Sequence, residues 1–368
     1  MSSNFACPRI KNGLAIRYDG QYSLCCMMDE KAFRKIDGSD GSGYHLKHDS
    51  LPTFIDSQWR QSMIQHQERG EWPEECKGCL DSETSEGSSY RTGILNNQRR
   101  HLHVHVGNVC DSDCIMCGPQ WSTKVMSRLS KHPDDNQVFP GKARLPPRSI
   151  WNDKEGLDNL KECVRWTDHL HFGGGEPMLD KRIWDFLSTV VRNDLSISFV
   201  SNLNTLPSDQ GFEILSSFKQ VNVNVSIDAT GSLYEWIRQD LSWTTLIRNL
   251  TVMRSRGIHL SVNCEIQAHN LLNLADHYKL FNRLGLNPDY FMVVMPRLLQ
   301  ARNAPMKVID TTIDLLQRQG CDDIIKKLLN ARRNHNPNDT NILIKHTEYL
   351  NSHRHHRFDV EKWNVADA

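Results

Sequence analysis

The run Val109-Cys-Asp-Ser-Asp-Cys-Ile-Met-Cys-Gly118 places Cys110, Cys114 and Cys117 within eight residues, directly after a short alternating apolar stretch. Thiolates this close together can hold a metal cluster. A four-iron cluster usually takes four cysteine ligands, so three in a C-x3-C-x2-C run leave one iron open to another molecule. A zinc site or three free thiols are the plainer alternatives. Structural zinc takes four tetrahedral ligands, and no nearby Cys or His completes this triplet. A second chemical signal is His171-Phe-Gly-Gly-Gly-Glu-Pro177. Glycines at a strand end let a ligand approach the backbone, and a carboxylate there can accept hydrogen bonds from an ammonium group.

These motifs need elements to position them. From about residue 102 to 295, strand-like runs alternate with helical periodicity, the pattern of βα units around a parallel sheet. Six strands are expected: Leu102 to Val106, His169 to Phe172, Leu195 to Ser201, Val221 to Ile227, His259 to Ile266 and Tyr290 to Val294. Helices are expected near Ser122 to Leu129, Lys181 to Val191, Asp209 to Ser217, Trp243 to Arg256 and Leu271 to Leu284. Residues 133 to 153, with four prolines, read as a long inserted loop. Residues 1 to 100 are rich in turn dipeptides and show no sustained period. A helical segment follows residue 305 and ends in the polar, His-rich stretch His346 to His356, whose histidines read as a solvated tail.

Strands buried in a parallel sheet normally read as continuous apolar runs, but these alternate. Val221, Val223, Val225 and Ile227 share one face, and Asn222, Asn224, Ser226 and Asp228 share the other. Val262, Cys264 and Ile266 likewise oppose Ser261, Asn263, Glu265 and Gln267, and Leu102, Val104 and Val106 oppose His103 and His105. Apolar faces must meet the surrounding helices, so the polar faces should point inward. A polar interior is costly unless water or a ligand satisfies it. An antiparallel sheet with one wet face is the alternative, and the long helical connections argue against it.

The 368 residues suffice for one large domain and a smaller one. Lys plus Arg and Asp plus Glu each total 44, so no net charge draws the chain to nucleic acid or anionic membrane. No apolar run approaches a bilayer span, and the first residues lack a charged segment followed by an apolar one. A cytoplasmic location is therefore expected. Eleven cysteines then read as metal ligands or reduced thiols rather than disulfides. Cys163, Cys264 and Cys321 are isolated and read as core thiols.

In the cysteine triplet followed by Gly174, Gly175, Glu176 and Pro177 at the second strand's end, the chain resembles the radical S-adenosylmethionine (radical SAM) superfamily. The resemblance implies an α/β fold with a partial (β/α)6 TIM-type barrel and a [4Fe-4S] cluster on Cys110, Cys114 and Cys117. It implies reductive cleavage of SAM to a 5'-deoxyadenosyl radical that takes a hydrogen atom from a substrate, with flavodoxin or ferredoxin as electron donor. Glu176 would bind the SAM amino group. Val200-Ser-Asn-Leu-Asn204 resembles the segment near the SAM ribose, through Ser201 and Asn202, with Leu203 where the family has glycine. Val225-Ser-Ile-Asp-Ala229 resembles the family's fourth-strand segment, through Ser226 and Asp228, with Ala229 again replacing glycine. Arg238 fits an arginine that pairs with the SAM carboxylate, a solvated helix arginine being the alternative. Met116 stands at the usually aromatic position that packs on adenine, and a thioether can fill that role. His105, Asp228 and Gln267, at strand ends, should lie nearest the cluster. Asp228 and His105 are the candidate catalytic residues, and Gln267 a candidate cofactor contact.

Cys7-Pro8, Asp19-Gly-Gln-Tyr-Ser-Leu-Cys-Cys26 and Trp72-Pro-Glu-Glu-Cys-Lys-Gly-Cys79 resemble a twitch or SPASM auxiliary-cluster domain, here ahead of the barrel. Cys7, Cys25, Cys76 and Cys79 would close a second [4Fe-4S] cluster, with Cys25 preferred to Cys26 on its spacing from Asp19-Gly20. Zinc is the rival, because four cysteines with a C-x2-C pair also suit a tetrahedral site. The implied organisation is a twitch/SPASM-like domain over 1–100, a barrel over 101–300 and a helical C-terminal extension over 301–368. The substrate would be polar: a peptide, small molecule or nucleotide. An iron-sulfur electron-transfer or sensor protein, and a zinc-binding interaction module, are the competing readings.

Overall fold

The computed structural model describes residues 5–28, 43–86, 89–96, 99–132 and 150–364. Of the inserted loop expected over 133 to 153, positions 133–149 lie outside the described residues, and Ile150–Asn152 form a 3-10 turn. Eight strands make a mostly parallel sheet with helical connections, so the expected α/β class is the one found. The chain divides into two compact units: residues 1–108, 145–199 and 207–221 form the first, and residues 109–144, 200–206 and 222–368 the second.

In the first unit, β1 (Gly13–Ile16) pairs in parallel with β3 (His101–His105) and antiparallel with the short β2 (Tyr22–Ser23). Strand β5 (His169–Gly173) pairs in parallel with β3 and with β6 (Ser196–Ser201). Register keeps like with like: Leu102 faces Leu170, Val104 faces Phe172, and His101 and His103 face His169 and His171. The apolar set Leu102, Val104, Leu170, Phe172, Ile197 and Phe199 is completely buried, and Phe172 stacks on Phe199 at 5.5 Å between ring centroids. Burying each such side chain contributes about 1.5–3 kcal/mol.

The second unit carries β7 (Gln220–Ser226), most of which lies here, pairing in parallel with β9 (His259–Ile266), which in turn pairs with β10 (Pro288–Met292). Val223, Val225, Val262, Cys264 and Ile266 are fully buried, while Asn224, Ser226, Ser261, Asn263 and Glu265 on the opposite face are half-buried. A ribbon of β4 (Asp113–Cys114) and β8 (Arg238–Gln239) sets Cys114 opposite Arg238.

The six expected strands are all present within about two residues of their expected ends. Two features differ from expectation. Residues 1–100 contain an 11-residue helix, Gln58–Glu68, that buries only Trp59, Arg60 and Met63 and so leaves no apolar period to read. The expected helix from Leu271 opens instead as a 3-10 turn, Ala268–Asn273, followed by the α-helix Leu274–Arg283. The helical segment expected after residue 305 is found as three helices, Met306–Gln317, Asp322–Arg333 and Pro337–Asn351. No helix among the described residues is long and apolar enough to cross a membrane.

Candidate functional site

The cysteine loop of the second unit is built by short-range hydrogen bonds. Ser122, the N-cap of helix Thr123–Lys131, donates its hydroxyl to the Ser112 carbonyl at 2.7 Å, and Thr123 Oγ1 donates to the Cys110 carbonyl at 3.2 Å. Ile115 N donates to the Ile237 carbonyl at 3.0 Å and Cys117 N to the Cys114 carbonyl at 3.3 Å. The Cys117 thiol is pushed well up by burial and by Cys114 and Cys110 beside it, so the three sulfurs form one electrostatic group. Burial also raises Cys114, against the pull of Arg238 and of Ser112, whose hydroxyl lies 3.0 Å from its sulfur. Arg238 Nη1 donates to Cys114 Sγ at 3.6 Å. The guanidinium donor suits a thiolate, so the residues present fit a cluster held by three cysteines.

Arg238 is not a solvated helix arginine. It is almost fully buried, and its Nε donates to Asp228 Oδ2 at 2.8 Å. Asp228 spends its other oxygen on the Glu265 amide at 3.0 Å, and its carbonyl accepts from Asn270 Nδ2 at 2.7 Å. With both carboxylate oxygens engaged, Asp228 is arranged to hold Arg238. Glu265, which sequence reasoning placed on the polar face but did not single out, is raised to about 7 by burial and by the charge of Asp228.

Asn202 donates to Asp111 Oδ1 at 2.7 Å, tying the segment after β6 to the cysteine loop. Ser201 accepts from Leu203 N at 2.8 Å. Leu203 has φ 54°, so the position where the resembling family has glycine keeps the left-handed backbone without it. Gln267, at the start of the 3-10 turn, is fully buried, whereas Ser226 and Met116 are half-buried.

Asp113, between the first two cysteines, is buried against Arg128 at 2.9 Å and Arg354 at 3.5 Å. Arg354 also donates to the Asp113 carbonyl at 2.7 Å and to the Trp236 carbonyl at 2.8 Å. His353, His355 and His356 are exposed, as expected of a solvated tail, but the arginine among them is buried and pins the cysteine loop. A single arginine in a polar, His-rich stretch carries no signal by which sequence could separate it from its neighbours.

In the first unit, Gly174 and Gly175 adopt φ values of 80° and 50°, which only glycine adopts freely. They turn the chain after β5 so that Glu176 and Pro177 are buried, with Glu176 Oε1 accepting from Met178 N at 3.0 Å. His105, the last residue of β3, is half-buried, and burial with Arg17 nearby lowers it to about 4.

The N-terminal cysteines also converge. Cys7, Cys25, Cys76 and Cys79 line one pocket together with Arg9, Trp72 and Arg91. Burial raises Cys7 to about 11, with Cys25 and Cys79 adding to the shift; Cys76 rises further, through burial and then Cys7, Cys25 and Cys79. Cys7 N donates to Gln67 Oε1 at 2.8 Å, and Arg91 Nη1 donates to the Ala6 carbonyl at 2.7 Å, which fixes the segment leading into the pocket. Cys25 lines the pocket beside the other three, and the donor set fits a four-thiolate group. Among the described residues, no three His, Cys, Asp or Glu side chains are placed to hold a single metal ion.

Residues 104–266 match the family model described as Radical SAM superfamily. Among solved structures, the chain is similar to native anSMEcpe with bound AdoMet, with 12% identity over 60% of this chain and 62% of that one, TM-score 0.43. It is similar to Streptococcus suis SuiB bound to S-adenosylmethionine, with 11% identity over 71% and 51% of the two chains, TM-score 0.38. SuiB bound to precursor peptide SuiA gives 12% identity over 79% and 57%, TM-score 0.42. The chain thus spans less than two thirds of each of these proteins. No curated protein sequence matches it. With structural likenesses this low, only the family match carries weight, and it spans residues 104–266, less than half of the chain.

Proposed function

We propose that this enzyme holds a [4Fe-4S] cluster on Cys110, Cys114 and Cys117, cleaves SAM reductively there and removes a hydrogen atom from a polar substrate. The observation that carries the reading is the cysteine loop itself, with Arg238 donating to Cys114 and held in place by Asp228 inside the matched segment. When bound, the cluster and SAM supply the electron and the 5'-deoxyadenosyl radical, and the protein supplies binding and orientation. Asp228 positions Arg238 to meet the SAM carboxylate, Ser201 and Asn202 would hold the ribose, and Met116 would pack on the adenine. Gly174, Gly175 and Pro177 shape the turn that presents Glu176 to the SAM ammonium. Gln267 and Ser226 would be further cofactor contacts, and His105 and Asp228 are each candidate catalytic residues. A flavodoxin or ferredoxin would deliver the electron.

The test is anaerobic reconstitution with iron and sulfide, reduction with dithionite and assay of SAM. The expected product is 5'-deoxyadenosine; its absence from protein with full iron content leaves the electron-transfer reading. Glu176→Gln is expected to weaken SAM binding roughly 10- to 100-fold, the loss of one hydrogen bond to a charged group, with iron content unchanged. Equal SAM affinity in the variant rejects the ammonium role.

Cys7, Cys25, Cys76 and Cys79 are proposed to hold a second, auxiliary [4Fe-4S] cluster in a twitch/SPASM-like arrangement. Wild-type protein should then carry about eight irons per chain. About four irons with one zinc would instead assign the N-terminal pocket to structural zinc.

A further inference from the structure

The polar face of the first unit carries an unusual concentration of imidazole. His101 and His103 on β3 stand beside His169 and His171 on β5, with ring centroids 5.0 Å apart for His101 and His169 and 4.6 Å for His103 and His171. His169 and His171 both reach Ser198 Oγ, each at 2.7 Å. The other two rings are less well served. His101 is 7% exposed, and neither of its ring nitrogens has a hydrogen-bond partner among the described residues; the same holds for the buried Nε2 atom of half-buried His103. A Cβ on Gly173 would come within 2.8 Å of that His103 nitrogen, so the glycine makes room for the ring.

Buried polar groups are normally paired, and each neutral imidazole carries one N–H to donate. The charge around these donors has one sign. Arg9 acts on all four rings, and no carboxylate is among the groups acting on them in the described residues. A metal ion is a poor match for the face, since among the described residues no three such side chains are placed to hold one. An oxyanion meets every condition: it accepts several N–H donors and balances the guanidinium.

We propose that His101, His103, His169 and His171, with Arg9, form a binding site for an oxyanion group of the substrate, a carboxylate or a phosphate. The assignment rests on reading the polar strand face as the substrate side of a radical SAM enzyme. It names the substrate class as anionic.

The experiment uses the full chain, reconstituted anaerobically because Arg9 also lines the N-terminal cysteine pocket. Inorganic phosphate and acetate are titrated separately by calorimetry, without SAM, against chloride at equal ionic strength. At least one of the two is expected to bind saturably and to raise the melting temperature of the wild type more than chloride does. Phosphate alone marks the substrate as a phosphate ester, and acetate alone as a carboxylic acid. His101→Gln and His103→Gln should each weaken the effective anion about tenfold. No saturable binding of either anion by wild-type protein, or unchanged affinity in both folded variants, overturns the proposal. Wild-type formation of 5'-deoxyadenosine is measured in parallel. Failed anion binding with that activity present overturns this inference alone, whereas loss of the activity removes the reading beneath it and the inference with it.

Discussion

The variant with Cys110, Cys114 and Cys117 all replaced by alanine is expected to form no 5'-deoxyadenosine and to lose about half of the iron. The reason is local. Cys110 and Cys114 both act on Cys117, Arg238 directs a donor at Cys114, and the Ser112 hydroxyl lies 3.0 Å from the same sulfur. Alanine removes every ligand while leaving the hydrogen bonds that shape the loop, from Ser122 and Thr123, to backbone carbonyls that alanine retains. The fold should therefore survive, and circular dichroism with iron analysis checks that it does. Persistent 5'-deoxyadenosine formation by this folded variant would reject the assignment of the cluster to this loop. Retention of the remaining iron is expected because Cys7, Cys25, Cys76 and Cys79 share a separate pocket.

Acid should unfold this protein early. Burial holds His105, His169 and His277 down at about 4 and His171 and His269 at about 3, and lowers His101 and His103 well below the usual range. In the unfolded chain each would titrate near 6.5. Between those values the unfolded state binds more protons than the folded one, so stability rises with pH. The contribution of each neutral histidine is full above about pH 6.5 and is lost as pH falls toward the folded value, by up to about 1.4 kcal/mol per pH unit. With seven such groups, the summed loss by pH 5 is on the order of 10 kcal/mol, comparable to the whole stability of an ordinary domain. Denaturant melts at pH 8, 6.5, 5.5 and 5 measure it. A midpoint that stays constant from pH 6.5 to 5 would contradict the buried neutral state of these rings.

The parts of this fold that sequence revealed are those where chemistry has a period. Polar and apolar residues alternate along β3, β7 and β9, because one face packs under helices and the other does not, and a period of two survives without any tertiary knowledge. The same rule fails for β1, where all four residues of Gly13–Ile16 are buried and nothing alternates. The cysteine triplet and the glycines before Glu176 were legible because thiolate spacing and positive φ each restrict residue type. What surrounds them was not. Asp111 and Asp113 fill the gap between Cys110 and Cys114, yet their partners Asn202, Arg128 and Arg354 are set by tertiary packing. Arg238 was legible as a candidate, and its burial against Asp228 was not. The histidine face lay half in view: alternation placed His103 and His105 together, but only strand register brings His169 and His171 beside them.

Arg354 gives the cysteine loop a long-range anchor. Its guanidinium meets the Asp113 carbonyl across 241 positions of sequence, whereas Arg128 meets the Asp113 carboxylate across 15. Closing the longer stretch of chain spans about four doublings of length, and at about 0.6 kcal/mol of closure entropy per doubling the distant clamp costs about 2.4 kcal/mol more to form than the near one.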